Sequence, residues 1–257
     1  AFPKIVFDRN RSNHSPLKLL FLRRGYLRLL KGFDYSLFSY FCSYISHCCS
    51  PLLFGENENA IIVLSAVSGT TNKLTEIANL LYQNNRKYAK LEISELEKNY
   101  FNFCKNLYST EEYFEKSKFV IESHFKYIDS FTEDLFTIHE EKAILAQGEL
   151  ISTALFQYYL EESKIDSNLI SALDFMRIDK DLEPDEFYIK QNLKRELTIN
   201  SSKIYITQGY ICRNVFGEID NLKRGGSDYT ASLIGTAISA SEIEIWTDID
   251  GMHNNDP

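Results

Sequence analysis

The sequence lacks the features that would mark it as secreted, metal-bound or membrane-spanning. Its cysteines number five and include no Cys-x-x-Cys pair: Cys42, Cys48 and Cys49 cluster, while Cys104 and Cys212 stand alone. An odd count placed this way builds no disulfide framework and fits a reducing compartment. His47 does not turn the cluster into a metal site, because Cys48 and Cys49 are adjacent and no second pair of ligands follows. A spanning helix needs ~20 predominantly apolar residues, and the aromatic-rich stretch 35–54 is broken by Ser36, Ser39, Ser43, Ser46 and His47. It also reads as a poor secretory signal, with no small-residue cleavage site. There is no internal repeat, no low-complexity tract, and no serine–histidine or cysteine–histidine pairing that suggests a protein nucleophile. Basic residues are outnumbered, giving a net charge of −8, which argues against a general nucleic-acid binder.

What is present is the composition of an ordinary soluble globular protein, with 44% hydrophobic and 25% charged residues in 257. That length suits one large α/β domain or two small ones. Charge is unevenly spread. Residues 1–57 hold eight Lys/Arg and three Asp/Glu, a net of +5, against −13 for the rest. The asymmetry marks a boundary near Asn57. Before it, Lys18, Arg23, Arg24, Arg28 and Lys31 alternate with leucines, a pattern that also suits a basic amphipathic helix on a membrane surface. The chain starts on Ala1 and stops on Pro257, just after a strong motif. The expectation is a fragment whose first 57 residues are an unrelated extension, disordered or out-of-frame.

The stretch that organises the rest is Arg224-Gly225-Gly226-Ser227-Asp228-Tyr229-Thr230. Two adjacent glycines let the backbone turn tightly and approach a ligand. Ser227 or Asp228 can cap the helix expected over Ala231–Ala240, whose Leu233, Ile234, Ala237 and Ile238 recur at helical spacing. A glycine loop opening a helix aims N–H groups and a positive dipole end at an anion. Arg224 adds a fork that grips a carboxylate or phosphate through two hydrogen bonds.

Upstream, Ala60–Leu64 is a continuous apolar run, the mark of a strand buried on both faces. Ser65–Thr71 is its exit loop, and Leu74, Ile77, Leu80 and Leu81 begin a helix. Ligands sit outside the carboxyl ends of strands in open parallel sheets, so this loop belongs at a site. From Tyr82 to Glu141 the pattern is helical and heavily charged, read as an insertion facing solvent; His124 and His139 carry no role. Gly148-Glu149 is expected to open a helix, Leu150–Leu160. Ser171–Arg177 reads as a strand and its exit, Lys203–Thr207 as a strand, and Phe216–Asp220 as a surface turn. Ile243 and Ile245 alternate with Glu242 and Glu244, a half-buried strand.

Taken together, five blocks resemble the aspartate kinases of the amino-acid kinase family. They are Leu64-Ser65-Ala66-Val67-Ser68-Gly69-Thr70-Thr71, Gly148-Glu149, Thr207-Gln208-Gly209-Tyr210, the Arg224–Thr230 loop, and Glu244–Gly251 with Asp256-Pro257. The likeness runs from about Asn57 to Pro257, in the family's order. It implies an α/β fold, a three-layer αβα sandwich around a mainly parallel sheet, incomplete here, with the kinase domain over residues 58–257. It implies ATP-dependent phosphorylation of L-aspartate to 4-phospho-L-aspartate, the first step toward lysine, threonine and methionine. By resemblance, Arg224 holds a substrate carboxylate and Glu149 the α-amino group. Ser65 and Thr71 donate hydroxyls to the same pocket, Tyr210 forms its wall, and Ser227 and Asp228 sit at the reacting centre. Gly225, Gly226, Thr247, Asp248 and His253 face the nucleotide. Asp228 and Asp248 orient Mg²⁺-ATP, with no metal site built of protein ligands alone. The nucleophile is the substrate's own carboxylate, so the protein supplies grips and charge neutralisation.

Plainer readings stay open for some of these residues. Glu149 reads equally as a first-turn carboxylate favoured by the helix dipole, and Ser65 and Thr71 as loop caps. Asp248-Ile249-Asp250-Gly251 is not a calcium loop, since its remaining ligands and closing Glu are absent. The family's opening strand, Lys-Phe-Gly-Gly-Thr-Ser, is absent, Lys223 stands where a glycine is usual, and His253 where tyrosine is common. The missing strand supplies a phosphate-facing lysine, so the chain as given is expected to be nearly inactive, with Ala60–Leu64 left at an unpaired edge. The alternatives are a non-catalytic ligand-binding remnant of the fold and a kinase for another amino acid or carboxylate. A full-length parent is expected to be a cytoplasmic homo-oligomer, with fusion to homoserine dehydrogenase left open, and with no nucleic-acid or membrane partner.

Overall fold

The computed structural model describes residues 59–199, 201–222 and 226–246, together with two strands near the start, β1 (Lys4–Asp8) and β2 (Leu17–Leu22). β3 (Asn59–Leu64) follows, apolar and buried from Ala60 onward. Four long helices come next: α1 (Thr70–Tyr82), α2 (Arg86–Leu107), α3 (Glu111–Ser130) and α4 (Ile138–Glu162). The two-residue β4 (Asn168–Leu169), the short α5 (Ala172–Phe175) and α6 (Glu186–Ile199) lead into β5 (Ile204–Gln208). A ribbon of β6 (Ile211–Arg213) and β7 (Ile219–Asn221) precedes α7 (Gly226–Ala237) and β8 (Glu242–Trp246).

Among the described residues, six strands form one sheet in the order β1-β8-β2-β3-β5-β4. Only the β1–β8 pair is antiparallel; β2–β8, β2–β3, β3–β5 and β4–β5 run parallel. Side chains alternate across the sheet with period two. Ile62 and Leu64 of β3, with Ile204 and Ile206 of β5, pack under α1 to α4. Ile61, Val63 and Tyr205 face the other way, against Phe175, Ile189, Leu193, Ala231 and Ile234 of α5, α6 and α7. The result is the three-layer αβα arrangement with a mainly parallel sheet.

Several local expectations are corrected. Ala60–Leu64 has no unpaired edge, because β2 runs beside it from Leu17↔Asn59 to Leu22↔Leu64. The boundary near Asn57 is thus one of charge and motif, falling between two neighbouring strands of one sheet. The charged stretch from Tyr82 to Glu141 is no solvent-facing insertion: Ile93, Leu96, Tyr100, Phe103, Ile121, Phe125 and Ile128 are buried in the same core as β3. Charge there covers only the outer faces of helices whose inner faces are apolar. Gly148-Glu149 lies inside α4 rather than at its start. Its N-terminus is set by a capping box in which Thr137 N–H donates to Glu140 Oε2 at 2.8 Å and His139 N–H to Thr137 Oγ1 at 3.3 Å. The strand expected over Ser171–Arg177 is displaced to Asn168–Leu169, and α5 occupies its place. Asp220 is not part of a surface turn but buried in β7. Glu244 and Ile245, adjacent residues that point to opposite faces, are both only 4% exposed, so β8 is covered on both faces there.

Candidate active site

The carboxyl ends of β3 and β5 are tied together where Gly209 N–H donates to Leu64 O at 2.8 Å. Around this point four segments converge: the loop after β3, the middle of α4, the loop after β5 and the first turn of α7. Close packing of small residues brings them together. A Cβ added to Gly148 would lie 2.8 Å from Ala66 Cβ and 3.2 Å from Thr70 Cγ2. One added to Gly209 would lie 2.6 Å from Ser227 Cβ, and one on Gly226 2.7 Å from Tyr210 Cδ2. Real Cβ atoms do not approach so closely, so each of these positions excludes a side chain.

Glu149 points from α4 at the loop, where its Oε1 accepts from Ala66 N–H at 3.3 Å. Its position mid-helix and its exposure of 3% rule out the first-turn dipole reading. Ser65, half-buried, is held by its carbonyl, which accepts from Ser152 Oγ at 2.9 Å. Thr71, also half-buried, lies in the first turn of α1 behind Gly69, whose φ of +81° only glycine adopts without strain. Its neighbour Thr70 is turned inward, with Oγ1 2.8 Å from the Tyr100 hydroxyl.

Tyr210 takes a left-handed φ of +68°, costly for a bulky residue. Both of its backbone groups are clamped: N–H donates to Thr230 Oγ1 at 3.0 Å, and O accepts from Leu222 N–H at 2.7 Å. Burial, then the carboxylates of Glu149, Glu141 and Asp220, push its phenol up to about 12. Ser227 and Asp228 are half-buried in the first turn of α7. The helix starts at Gly226, earlier than expected, so neither residue is its cap. Arg224, Gly225, Thr247, Asp248 and His253 lie outside the described residues, as does Lys223.

Two supports escape a reading of motifs alone. Lys142 Nζ lies 2.6 Å from Asp220 Oδ2, pinning β7 to α4 two turns ahead of Glu149. The sequence signal is only the seven-residue spacing to Glu149. Gln208, 2% exposed, accepts from Ala172 N–H at 2.7 Å and donates to Thr153 Oγ1 at 2.7 Å. His124 is packed against α4 with Nδ1 2.6 Å from Gln147 Oε1, and burial holds its pKa below the usual imidazole value. Among the described residues no group of His, Cys, Asp and Glu could hold a metal ion by itself, and no helix is long and apolar enough to cross a membrane.

The amino acid kinase family model matches residues 50–257. Over 218 residues the chain is 28% identical to lysine-sensitive aspartokinase 3 of Escherichia coli K12, covering 77% of this chain and 44% of the relative. It is 30% identical over 212 residues to an aspartokinase of Chlamydia trachomatis serovar D, covering 79% of this chain and 45% of that protein. The chain therefore spans less than half the length of these relatives. Among solved structures, E. coli aspartokinase III in complex with aspartate and ADP superposes with a TM-score of 0.68 at 23% identity, covering 90% of this chain and 49% of that one. Clostridium acetobutylicum aspartate kinase gives a TM-score of 0.62 at 16% identity, covering 88% and 46%. At such identities these two likenesses speak to the fold.

Proposed function

Since the chain belongs to the amino acid kinase family, we propose that its pocket binds L-aspartate and that the fold serves transfer of a phosphoryl group from ATP to the substrate's β-carboxylate, giving 4-phospho-L-aspartate, the first step toward lysine, threonine and methionine. The observation that carries this reading is the buried carboxylate of Glu149, aimed at the loop after β3 and tied to Ala66 N–H. A buried carboxylate at a strand-end pocket suits the ammonium group of an amino acid better than a simple dicarboxylate. The names of the relatives, and the aspartate and ADP held by one structural neighbour, support the same assignment. In this reading residues 58–257 form the kinase domain, and every residue assigned to the site falls within them.

In this reading the acceptor carboxylate attacks the γ-phosphorus in line, so the protein's task is orientation. Glu149 holds the amino group, Ser65 and Thr71 line the pocket, and Tyr210 closes one wall. Tyr210 stays a neutral phenol at physiological pH, adding no negative charge where two anions must meet. Ser227, pressed onto Gly209, is fixed at the junction of β5 and α7. Mg²⁺ is usually bound by one or two carboxylates and phosphate oxygens, and Asp228, half-buried in the first turn of α7, fits that donor set. The ion would neutralise charge on the phosphates. Turnover is expected to be low, because β3 is flanked by Leu17-Lys18-Leu19-Leu20-Phe21-Leu22 rather than Lys-Phe-Gly-Gly-Thr-Ser.

The test is calorimetric titration with L-aspartate and with succinate, which keeps both carboxylates and lacks the amine. L-Aspartate should bind more tightly, and Glu149→Gln should abolish the preference. A charge-assisted hydrogen bond is worth roughly 1.5–3 kcal/mol, about 10- to 100-fold in affinity. Equal affinities in the unaltered chain would remove the assignment. ATP-dependent hydroxamate formation from aspartate reads turnover separately from binding.

A further inference from the structure

Behind Glu149 runs a buried series of hydrogen bonds with a fixed direction. Ala172 N–H, at the start of α5, donates to Gln208 Oε1 at 2.7 Å. That leaves the amide nitrogen of Gln208 to donate to Thr153 Oγ1, also at 2.7 Å. Having accepted there, the Thr153 hydroxyl donates its own proton to Glu149 O at 2.9 Å, with Leu150 O at 3.1 Å. Thr153 is 0% and Gln208 2% exposed, so water does not substitute for either partner. A backbone N–H can only donate, so it dictates the orientation of the whole series.

Gln208 is also the last residue of β5, paired in register with Leu64, and is followed directly by Gly209, on which Ser227 sits. One side chain therefore links the strand end that seats Ser227 to the helical turn that bears Glu149. We propose that Gln208 and Thr153 are positioning residues for the acceptor amino acid, fixing the Glu149 turn against the ends of β3 and β5. The inference rests on the reading of Glu149 as the ammonium-binding group, and goes beyond it by naming what holds that group in place. Their role is assigned as positioning because their polar groups are engaged with Ala172 N–H, with each other and with Glu149 O. Their effect should fall on recognition of the amine, not on the dicarboxylate frame or the nucleotide.

Thr153→Val keeps the volume and removes both hydrogen bonds, whereas Thr153→Ser keeps the hydroxyl. Gln208→Glu presents only acceptors when ionised, so the Thr153 proton must turn toward it and away from Glu149 O. In calorimetric titrations of the full chain with L-aspartate, succinate and ADP, Thr153→Val and Gln208→Glu should each weaken L-aspartate about tenfold, the scale of one buried hydrogen bond. Succinate and ADP should bind as before, and Thr153→Ser should restore L-aspartate affinity. A preference for L-aspartate over succinate that survives both disruptive variants would overturn the inference while leaving the reading of Glu149 intact. Uniform loss of all three ligands in both variants would show a purely structural role and overturn it as well. No preference in the unaltered chain would remove the Glu149 reading and this inference together.

Discussion

Tyr210 gathers several constraints at one residue: a left-handed backbone, clamped N–H and C=O groups, and a phenol raised to about 12 by burial and by nearby carboxylates. An unperturbed tyrosine titrates near 10. Between these values the unfolded chain releases a proton that the folded chain retains. The contribution is therefore fully present below about pH 10 and lost as pH rises toward 12. In a spectroscopic titration, the phenolate absorbance that disappears in Tyr210→Phe should develop above pH 10. Glu149→Gln, by removing one of the negative neighbours, should move that midpoint down. A Tyr210 midpoint near 10 in the unaltered chain would contradict the buried, carboxylate-flanked placement. At this scale the sequence was informative about identity and poor about surroundings. The motifs named Glu149 and Tyr210, but nothing local reveals that Gln208 and Thr153 stand behind them, because those partners lie 55 residues apart.

At the scale of elements, α4 shows what pattern reading catches and what it loses. Its apolar and small residues are legible, yet its start is easily placed at Gly148, since glycine punctuates most helices. Here the glycine is interior because Ala66 and Thr70 press against it, a tertiary reason invisible along the chain. The correct signal was Thr137-Ile138-His139-Glu140, a capping box. Thr137→Ala should cost about 1 kcal/mol of stability, read as a lower midpoint in urea with the same slope. No change in midpoint would show that packing of α4 alone fixes its N-terminus. The helices α2 and α3 teach a related lesson. Their charge suggested solvent exposure, but Ile121, Phe125 and Ile128 recur at helical spacing and are buried, and that period, not the charge count, decides which face packs.

For the whole molecule, the three layers were implied by the family resemblance, while the order of neighbours within the sheet was not legible. Periodicity says that Ala60–Leu64 is buried on both faces; it does not say which strand flanks it. β2 fills that place and also pairs with β8, joining β3 to the strand that follows α7. Amide hydrogen exchange should therefore find Leu19–Leu22 protected to a degree comparable with Ile61–Leu64. Rapid exchange there, or a protease-resistant fragment beginning near Asn57 with the site intact, would show that the sheet holds without β2.

The pairing of β8 between β1 and β2 has a consequence in time rather than space. Lys4 meets Trp246 and Leu22 meets Trp246, so the sheet closes only when segments from far-separated parts of the chain come together. Such distant pairings carry a loop-closure cost that must be met before any contact rewards it, and they slow folding. During synthesis the apolar β2 segment leaves the ribosome long before β8 exists. Until Trp246 emerges, Leu17–Leu22 has only β3 as a sheet partner, with its other edge open to strands of neighbouring nascent chains. The chain is thus most vulnerable to misassembly in the interval before its last described strand is made.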